Sequence, residues 1–315
     1  MASAQRSRPT ADGILVLNKG KDVTSMDMVR MAKRVSHVKH VGHAGTLDPI
    51  ATGVLPICFG QATRLMEFMV DGRKTYKAEF TLGEATDTYD SYGTVTDKAD
   101  WSAVTREEVE ALLPDFAGLI LQKPPMFSAL KHEGQRLYEL ARAGIEVDRE
   151  AREVIVHAIT LLDWAPPKFT IEVDCGRGFY MRTLAHDMGT ELGCLAHLSE
   201  LERTKASGFF VDDALDPQIF EGAEENDAWR HLLSPPDAAL RALDVLAVDP
   251  AAERHLRNGQ AVMLPASSTY AKHLDARRAY SADGRFLAIV RFNRPDATWQ
   301  PERVFNLPDP SPYAP

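Results

Sequence analysis

Residues 42–57 read GHAGTLDPIATGVLPI, and the interpretation of the whole chain starts from this stretch. Its glycines and prolines are too closely spaced for a helix or a strand to run through residues 42–49. Pro49 also moves the preceding residue, Asp48, away from the helical region. The sequence therefore predicts that Asp48 lies in a tight loop whose backbone can approach a ligand closely.

Two interpretations of this loop are open from the residues alone. An Asp-Pro pair most often forms an Asx turn, in which the aspartate bonds its own backbone. Alternatively, the loop presents the Asp48 carboxylate to a substrate, where an ionised carboxylate can act as a nucleophile.

The composition indicates a globular protein with a large domain and a small one. The chain has 315 residues, of which 44% are hydrophobic and 26% are charged, enough to bury a sizeable core. The polar first eleven residues are not followed by an apolar run that could form a signal peptide or a membrane span, so we expect a cytoplasmic protein. Three widely spaced cysteines (Cys58, Cys175 and Cys194) are expected to be buried thiols.

The charge is unevenly distributed along the chain. The net charge of −9 argues against a nucleic-acid partner, because phosphate binding usually requires a basic surface. Residues 1–75 nevertheless carry a net +5 and the remainder −14. A positive field around the Asp48 loop is compatible with RNA binding.

Strand-like and helix-like segments are mixed without a regular βαβ repeat. This pattern predicts an α+β fold with a mixed, largely antiparallel sheet flanked by helices. The predicted strands are 13–18, 54–59, 74–82, 154–164 and 169–175, and the predicted helices are 25–35, 61–70, one beginning near 105, 135–143 and 180–192.

The domain organisation follows from composition. Residues 1–12 are predicted to be a flexible tail and 13–243 the large domain, in which the acidic, proline-containing region 209–246 reads as a connecting segment. Residues 244–308 form a small β-rich unit with a hairpin around Asp283-Gly284. The proline-rich end, 309–315, is predicted to be disordered.

Several further motifs occur in the order expected for one family. They are KTY at 74–76, PPMFSALK at 124–131, the segment 137–152, and CGRGFYMRTL at 175–184. Together with 42–57, they resemble the TruB family of pseudouridine synthases in its bacterial stand-alone form, more than its guide-RNA-dependent relatives. The match extends over about residues 13–205, and the 244–308 unit resembles a PUA-like RNA-binding module.

The resemblance implies the pseudouridine synthase fold and the isomerisation of uridine 55 in the T loop of tRNA. It implies that a monomer binds the T arm and elbow of tRNA, with no membrane and no protein partner involved. Asp48 falls on the catalytic nucleophile of the family, Arg182 on its ion-pair partner, and Tyr76 on the residue that lies against the flipped uracil.

The resemblance also assigns three substrate-binding residues. His43 holds open the gap left by the flipped base, and Tyr180 forms a second wall of the pocket near Asp48. Lys19 supports the active-site loop or a phosphate. The next residue is Gly20, whereas the family commonly has proline there, which affects the expected local geometry.

We expect neither a cofactor nor a metal, because the isomerisation changes no oxidation state and adds no group. The pair Gly176-x-Gly178 lacks the third glycine of a dinucleotide motif. The spacing His37-x-x-His40-x-x-His43 resembles a metal site, but Gly42 interrupts helical continuity and no usual ligand set is complete.

Two other functions are compatible with the sequence. An RNA-folding chaperone would use the same RNA surface, with binding mattering more than turnover. A carboxylate-dependent glycosidase would need a second carboxylate across the bond, for which Asp87 and Asp90 are the candidates unless they cap turns.

Overall fold

An antiparallel pair of buried strands anchors the large domain. In the computed structural model, which describes residues 10–128, 130–264 and 271–315, strand β1 (Gly13–Lys19) pairs along its whole length with β3 (Ala51–Phe59). Both strands are rich in Val, Leu and Ile, which favour a buried, pleated surface. Their side chains are almost all buried.

The other strands are β2 (Val41–His43), β4 (Lys74–Leu82), β5 (Glu84–Thr86), β6 (Val95–Lys98), β7 (Gly118–Gln122), β8 (Lys131–His132), β9 (Gln135–Arg136), β10 (Arg152–Ala165), β11 (Lys168–Cys175), β12 (Ala196–Ala206), β13 (Phe209–Phe210), β14 (Asp244–Ala247), β15 (Ala276–Tyr280), β16 (Phe286–Asn293) and β17 (Thr298–Val304). The α-helices are α1 (Ser25–Ser36), α2 (Met66–Asp71), α3 (Arg106–Leu112), α4 (Leu137–Arg142), α5 (Met181–Glu191), α6 (Pro217–Gly222) and α7 (Pro250–Arg257).

The central sheet has the strand order β1-β3-β12-β4-β11-β10-β7, with β2 and β13 paired to β3 and β12. Only the β3–β12 pair is parallel within this sheet; the other pairs are antiparallel. The expected α+β fold with a mixed, largely antiparallel sheet is therefore confirmed.

Two helices that border the site begin as the sequence predicts. Thr24 caps α1 in a capping box with Asp27, and the buried face of the helix packs on the sheet. Helix α5 begins after a turn at Gly178, whose φ of +83° is accessible mainly to glycine. Met181, Leu184, Ala185 and Met188 form its buried face.

The C-terminal part forms a second sheet, of four strands, in the order β14-β15-β16-β17. The predicted hairpin is present as β15 and β16, which meet at Asp283-Gly284. Helix α7 covers this sheet through the buried Leu256.

The structure corrects three sequence-based boundaries. Residues 42 and 43 were expected outside any strand but belong to β2, which pairs with β3. The predicted helix at 61–70 is a 3₁₀ turn (Gly60–Leu65) followed by α2. The helix predicted from 135 begins at Leu137, since Gln135 and Arg136 pair with β8.

The region 209–246 is a part of the core and not merely a connection. It contains α6 and three 3₁₀ helices, Val211–Asp213, Glu225–Leu232 and Pro236–Leu240. Phe220 and Trp229 are fully buried, and Trp229 stacks on Phe59 with ring centroids 5.8 Å apart. The acidic composition of the region gave no indication that these two aromatic side chains are buried.

Side-chain contacts are present at both ends of the described chain. Residues 1–9 lie outside the described ranges, but Asp12 accepts a hydrogen bond from the Gln61 amide at 2.6 Å. At the other end, the Ser311 hydroxyl donates to the buried Asp237 at 2.5 Å, and Arg241 lies over the Tyr313 ring. The segment 309–315, which the sequence predicts to be disordered, thus makes defined side-chain contacts in the structure.

Candidate active site

The Asp48 loop connects β2 to β3 and is held by its backbone. The Ser25 hydroxyl accepts from the Leu47 amide at 2.8 Å and donates to the Leu47 carbonyl at 3.1 Å. The Pro49 carbonyl accepts from the Asp22 amide at 2.9 Å. Asp48 itself lies in neither a helix nor a strand, as predicted.

Arg182 lies in the first turn of α5 and pairs with Asp48. Its Nη2 is 2.9 Å from Asp48 Oδ2, and the same nitrogen donates to the Phe127 carbonyl at 2.8 Å. The Arg182 side chain is 6% exposed, whereas that of Asp48 is 39% exposed. The pair thus joins a buried guanidinium to a carboxylate that solvent or a substrate can reach.

Asp90 is a second carboxylate beside Arg182. Its Oδ2 is 3.7 Å from Arg182 Nε, and its Oδ1 accepts from the Thr88 hydroxyl at 2.7 Å. Asp87 instead accepts from the Thr94 amide at 2.8 Å and so stabilises a turn. From the sequence, Asp90 was interpreted as a glycosidase carboxylate or a turn cap, and its contact with Arg182 was missed.

Two tyrosines lie within the electrostatic reach of Asp48. Tyr76, on β4, is half-buried, and burial raises the pKa of its phenol while the charge of Arg203 lowers it. Burial likewise raises the pKa of Tyr180, against the opposing charge of Arg182. Because both pKa values are raised, both phenols are neutral near pH 7. Gln122 fixes the Tyr180 backbone by two hydrogen bonds, of 2.8 and 3.0 Å.

His43 is the last residue of β2 and directly precedes the Asp48 loop. Burial lowers the pKa of its imidazole, and the charge of Arg203 adds to that effect. Its Nδ1 is buried and has no hydrogen-bond partner among the described residues. A neutral imidazole with an unused nitrogen is thus held at the base of the Asp48 loop.

Lys19 is fully buried at the end of β1. Its Nζ donates to the carbonyls of Gly20 and Val23, each at 2.8 Å. Burial lowers the pKa of Lys19 to about 8, while the charge of Asp48 acts in the opposite direction. With its ammonium group bound to these two carbonyls, Lys19 is placed to support the turn beside the loop and not to contact a phosphate directly.

Two further buried cations near the loop were missed by the sequence analysis. Arg203, on β12, donates from Nε to the Val54 carbonyl at 2.7 Å and from Nη2 to the Gly45 carbonyl at 3.1 Å. Lys74 donates to two backbone carbonyls, and burial lowers its pKa to about 8. A signal for Arg203 existed, because it shares the inward face of its strand with Leu201.

The described ranges contain no cluster of three or more His, Cys, Asp or Glu side chains arranged to hold a metal. His37 caps the C-terminus of α1 in a left-handed conformation, and the third histidine of the spacing, His43, lies on β2. In residues 10–128, 130–264 and 271–315, no helix has the length and apolar character needed to cross a membrane.

Two solved structures share the overall fold of this chain. The chain is similar to a solved structure of an H/ACA RNP bound to a substrate RNA containing 2'-deoxyuridine, with a TM-score of 0.70 and 20% identity, covering 96% of this chain and 87% of that one. An archaeal box H/ACA sRNP Nop10-Cbf5 complex gives a TM-score of 0.66 at 20% identity, covering 98% and 91% of the two chains.

Sequence comparison defines the family more narrowly. The model of the TruB family pseudouridylate synthase N-terminal domain matches residues 33–181, and that of the tRNA pseudouridylate synthase B C-terminal domain matches 182–241. A tRNA pseudouridine synthase B of Dehalococcoides mccartyi (strain ATCC BAA-2266 / KCTC 15142 / 195) is 41% identical over 95% of this chain and 98% of its own. That of Chromohalobacter salexigens is 41% identical over 92% and 93%. The chain belongs to the TruB family.

Proposed function

We propose that this protein is a tRNA pseudouridine synthase that converts uridine 55 of the T loop to pseudouridine, with Asp48 as the nucleophile. The observation that carries the proposal is the 2.9 Å contact between the buried Arg182 guanidinium and the accessible Asp48 carboxylate. The name that these relatives share, tRNA pseudouridine synthase B, supports tRNA as the substrate.

The reaction is balanced without any added group. The C–N glycosidic bond of uridine breaks, a C–C bond forms between the same base and sugar, and the proton on uracil C5 is replaced by one on nitrogen. Asp48 forms the covalent intermediate by attacking the nucleoside and leaves again in the last step. Arg182 holds the attacking carboxylate in a fixed orientation, so that little reorganisation is needed.

The remaining predicted site residues bind the flipped base and shape the pocket. Tyr76 and Tyr180 provide aromatic walls, and their raised pKa values keep both phenols protonated for stacking and hydrogen bonding. His43 occupies the gap that the base leaves in the RNA stack. Lys19 supports the turn next to the catalytic loop through its two carbonyl contacts.

Binding of tRNA involves both parts of the chain. The T arm and elbow lie along the Asp48 face of the large domain, and the four-stranded C-terminal sheet acts as a PUA-like RNA-binding module. The enzyme works in the cytoplasm as a monomer and needs neither a protein partner nor a cofactor.

The test is tritium release from [5-³H]uridine in an unmodified tRNA transcript, without nucleotides and with a chelator present. Wild-type protein should release tritium, while Asp48→Asn should bind the transcript and release none. A transcript with uridine 55 replaced by cytidine controls for the site. Binding without release by the wild type would reject the synthase proposal in favour of the RNA-folding chaperone, and release from the cytidine transcript would reject the assignment to uridine 55.

A further inference from the structure

A closed ring of contacts includes the Arg182–Asp48 pair and extends to the protein surface. Its members, in order around the ring, are Asp48, Arg182, Asp90, Tyr92, Asp22 and Pro49. The peptide bond between Asp48 and Pro49 closes the ring.

The inner half of the ring is the buried one. Arg182 is 2.9 Å from Asp48 and 3.7 Å from Asp90, so one guanidinium separates the two carboxylates. Asp90 is 6% exposed and is held at Oδ1 by the Thr88 hydroxyl and by the Tyr92 amide, the latter at 3.0 Å.

The outer half consists of one side-chain contact and one backbone contact. The Tyr92 hydroxyl donates to the Asp22 carboxylate. The Asp22 amide in turn donates to the Pro49 carbonyl at 2.9 Å, one residue after Asp48. The loop that carries Asp90 is thereby connected to the loop that carries Asp48 by a path that does not pass through Arg182.

The conformation of Asp22 is unusual and fits this connection. Its φ is +67°, a left-handed conformation that Asp and Asn tolerate better than most other residues. The preceding Lys21 pairs with Glu200 at 2.8 Å, which holds the same turn against β12. The turn is thus fixed on two sides, and its amide points at the catalytic loop.

We propose that Asp22 and Tyr92 are positioning residues that hold the Asp48 and Asp90 loops on opposite sides of Arg182. The proposal rests on the synthase function proposed above. Tyr92 is 49% exposed, so its hydrogen bond contributes little to overall stability but limits the freedom of the Asp48 loop. Reaction rates depend steeply on the placement of a nucleophile, and an error of about 1 Å can cost about 100-fold.

The protonation state of the phenol is consistent with a permanent contact. The hydrogen bond to Asp22 is the main cause that raises the pKa of Tyr92 to about 12, and burial contributes less. The phenol therefore remains a donor throughout the pH range in which the enzyme would be assayed.

The experiment is a double-mutant cycle on single-turnover pseudouridine formation at saturating tRNA. Tyr92→Phe removes the donor, and Asp22→Gly removes the acceptor while keeping the left-handed backbone free of strain. We expect each variant to lower the rate about three- to tenfold with the KM for tRNA changed less than about twofold, as for one lost hydrogen bond.

The double variant should be no slower than the slower single variant, because both changes break one contact. Asp22→Asn should retain most of the wild-type rate, since its amide oxygen can accept from Tyr92 and Asn tolerates the same backbone conformation. Tyr313→Phe, in the C-terminal segment, is the matched control and should leave the rate unchanged. Additive single effects, or a raised KM at an unchanged rate, would reject positioning, the latter in favour of direct RNA contact.

A second measurement does not depend on activity. Tyr92→Phe should speed hydrogen exchange at the Asp22 amide, which donates to Pro49, while Tyr313→Phe should not. Unchanged exchange at Asp22 rejects the connection between the loops. A wild-type protein that forms no pseudouridine rejects the proposed function instead, and the exchange result then decides the positioning proposal alone.

Discussion

The guanidinium of Arg203 donates to the Gly45 carbonyl at 3.1 Å, three residues before Asp48 in the same loop. Arg203 also lies opposite Tyr76 in the β12–β4 register and is 1% exposed. One buried cation thus connects the strand that carries Tyr76 with the loop that carries the proposed nucleophile. Gly45 itself has a φ of +97°, so a side chain at this position would strain the loop.

Replacing Arg203 should therefore affect both stability and catalysis. Arg203→Met leaves the Gly45 and Val54 carbonyls without their donor, and we expect a loss of about 1–3 kcal/mol in the free energy of unfolding. Arg203→Lys keeps the charge but cannot donate to both carbonyls from two fixed nitrogens, and it should lose less stability than Arg203→Met. Urea unfolding of both variants, with single-turnover rates on tRNA, checks this; equal stability of wild type and Arg203→Met would contradict the structural role.

Substitution of Arg182 should reduce the single-turnover rate far more than the affinity for tRNA. Arg182→Lys retains a positive charge but cannot contact Asp48, Asp90 and the Phe127 carbonyl together, as the guanidinium does. We expect the single-turnover rate to fall about 100-fold or more, with the Kd for tRNA within about threefold, since the side chain is buried and meets no backbone phosphate. Filter binding and rapid-quench assays on one preparation separate the two quantities. A rate within a few-fold of wild type would remove Arg182 from the proposed mechanism.

The sequence was sufficient for the parts of the site that depend on local chemistry. Glycine and proline spacing predicted the Asp48 loop, and the apolar periodicity predicted α5, on which Arg182 lies. The sequence could not show which distant segments converge. The contact of Asp90 with Arg182 and the path through Asp22 join residues that are far apart in the chain, and no local pattern encodes those pairings.

Interpretations from composition were less reliable than interpretations from periodicity. An acidic, proline-containing stretch was interpreted as a connection, yet two aromatic side chains in it, Phe220 and Trp229, are fully buried. Likewise, Arg203 and Lys74 are charged residues at inward strand positions, where hydropathy alone predicts exposure. Tertiary contacts decided these cases, because backbone carbonyls supplied partners that the sequence does not reveal.

The buried Lys74 should make stability depend on pH in an identifiable window. Burial lowers its pKa in the folded protein from 10.5 to about 8. Between these two values the unfolded chain binds the proton and the folded chain does not, so the free energy of unfolding rises with pH. Above pH 8, we expect the free energy of unfolding of the wild type to rise relative to that of Lys74→Met by about 1 kcal/mol per pH unit.

Urea unfolding of both proteins at pH 7, 8, 9 and 10 measures this gain. The comparison with Lys74→Met is necessary because the buried thiols act in the opposite direction. Burial raises the pKa of Cys58 to about 12, so unfolding releases its proton above pH 9 and stability falls. A constant difference between the two proteins from pH 7 to pH 10 would show that Lys74 keeps an ordinary pKa when folded.

The C-terminal segment should stabilise the second sheet without taking part in the reaction. Asp237 is fully buried and accepts from the Tyr280 hydroxyl at 2.6 Å and from the Ser311 hydroxyl at 2.5 Å. Ser311→Ala removes one of the two donors to a buried carboxylate, for which we expect a cost of about 1–3 kcal/mol in unfolding free energy. The single-turnover rate on tRNA should stay within about twofold of wild type, because Asp237 and Ser311 are outside the Asp48 site.

Truncation after residue 308 should lower stability at least as much as Ser311→Ala, since it also removes the Tyr313 ring from Arg241. If the truncated protein unfolded at the same urea concentration as the full chain, the contacts of residues 309–315 would contribute nothing in solution, and the sequence-based expectation of a disordered tail would be supported.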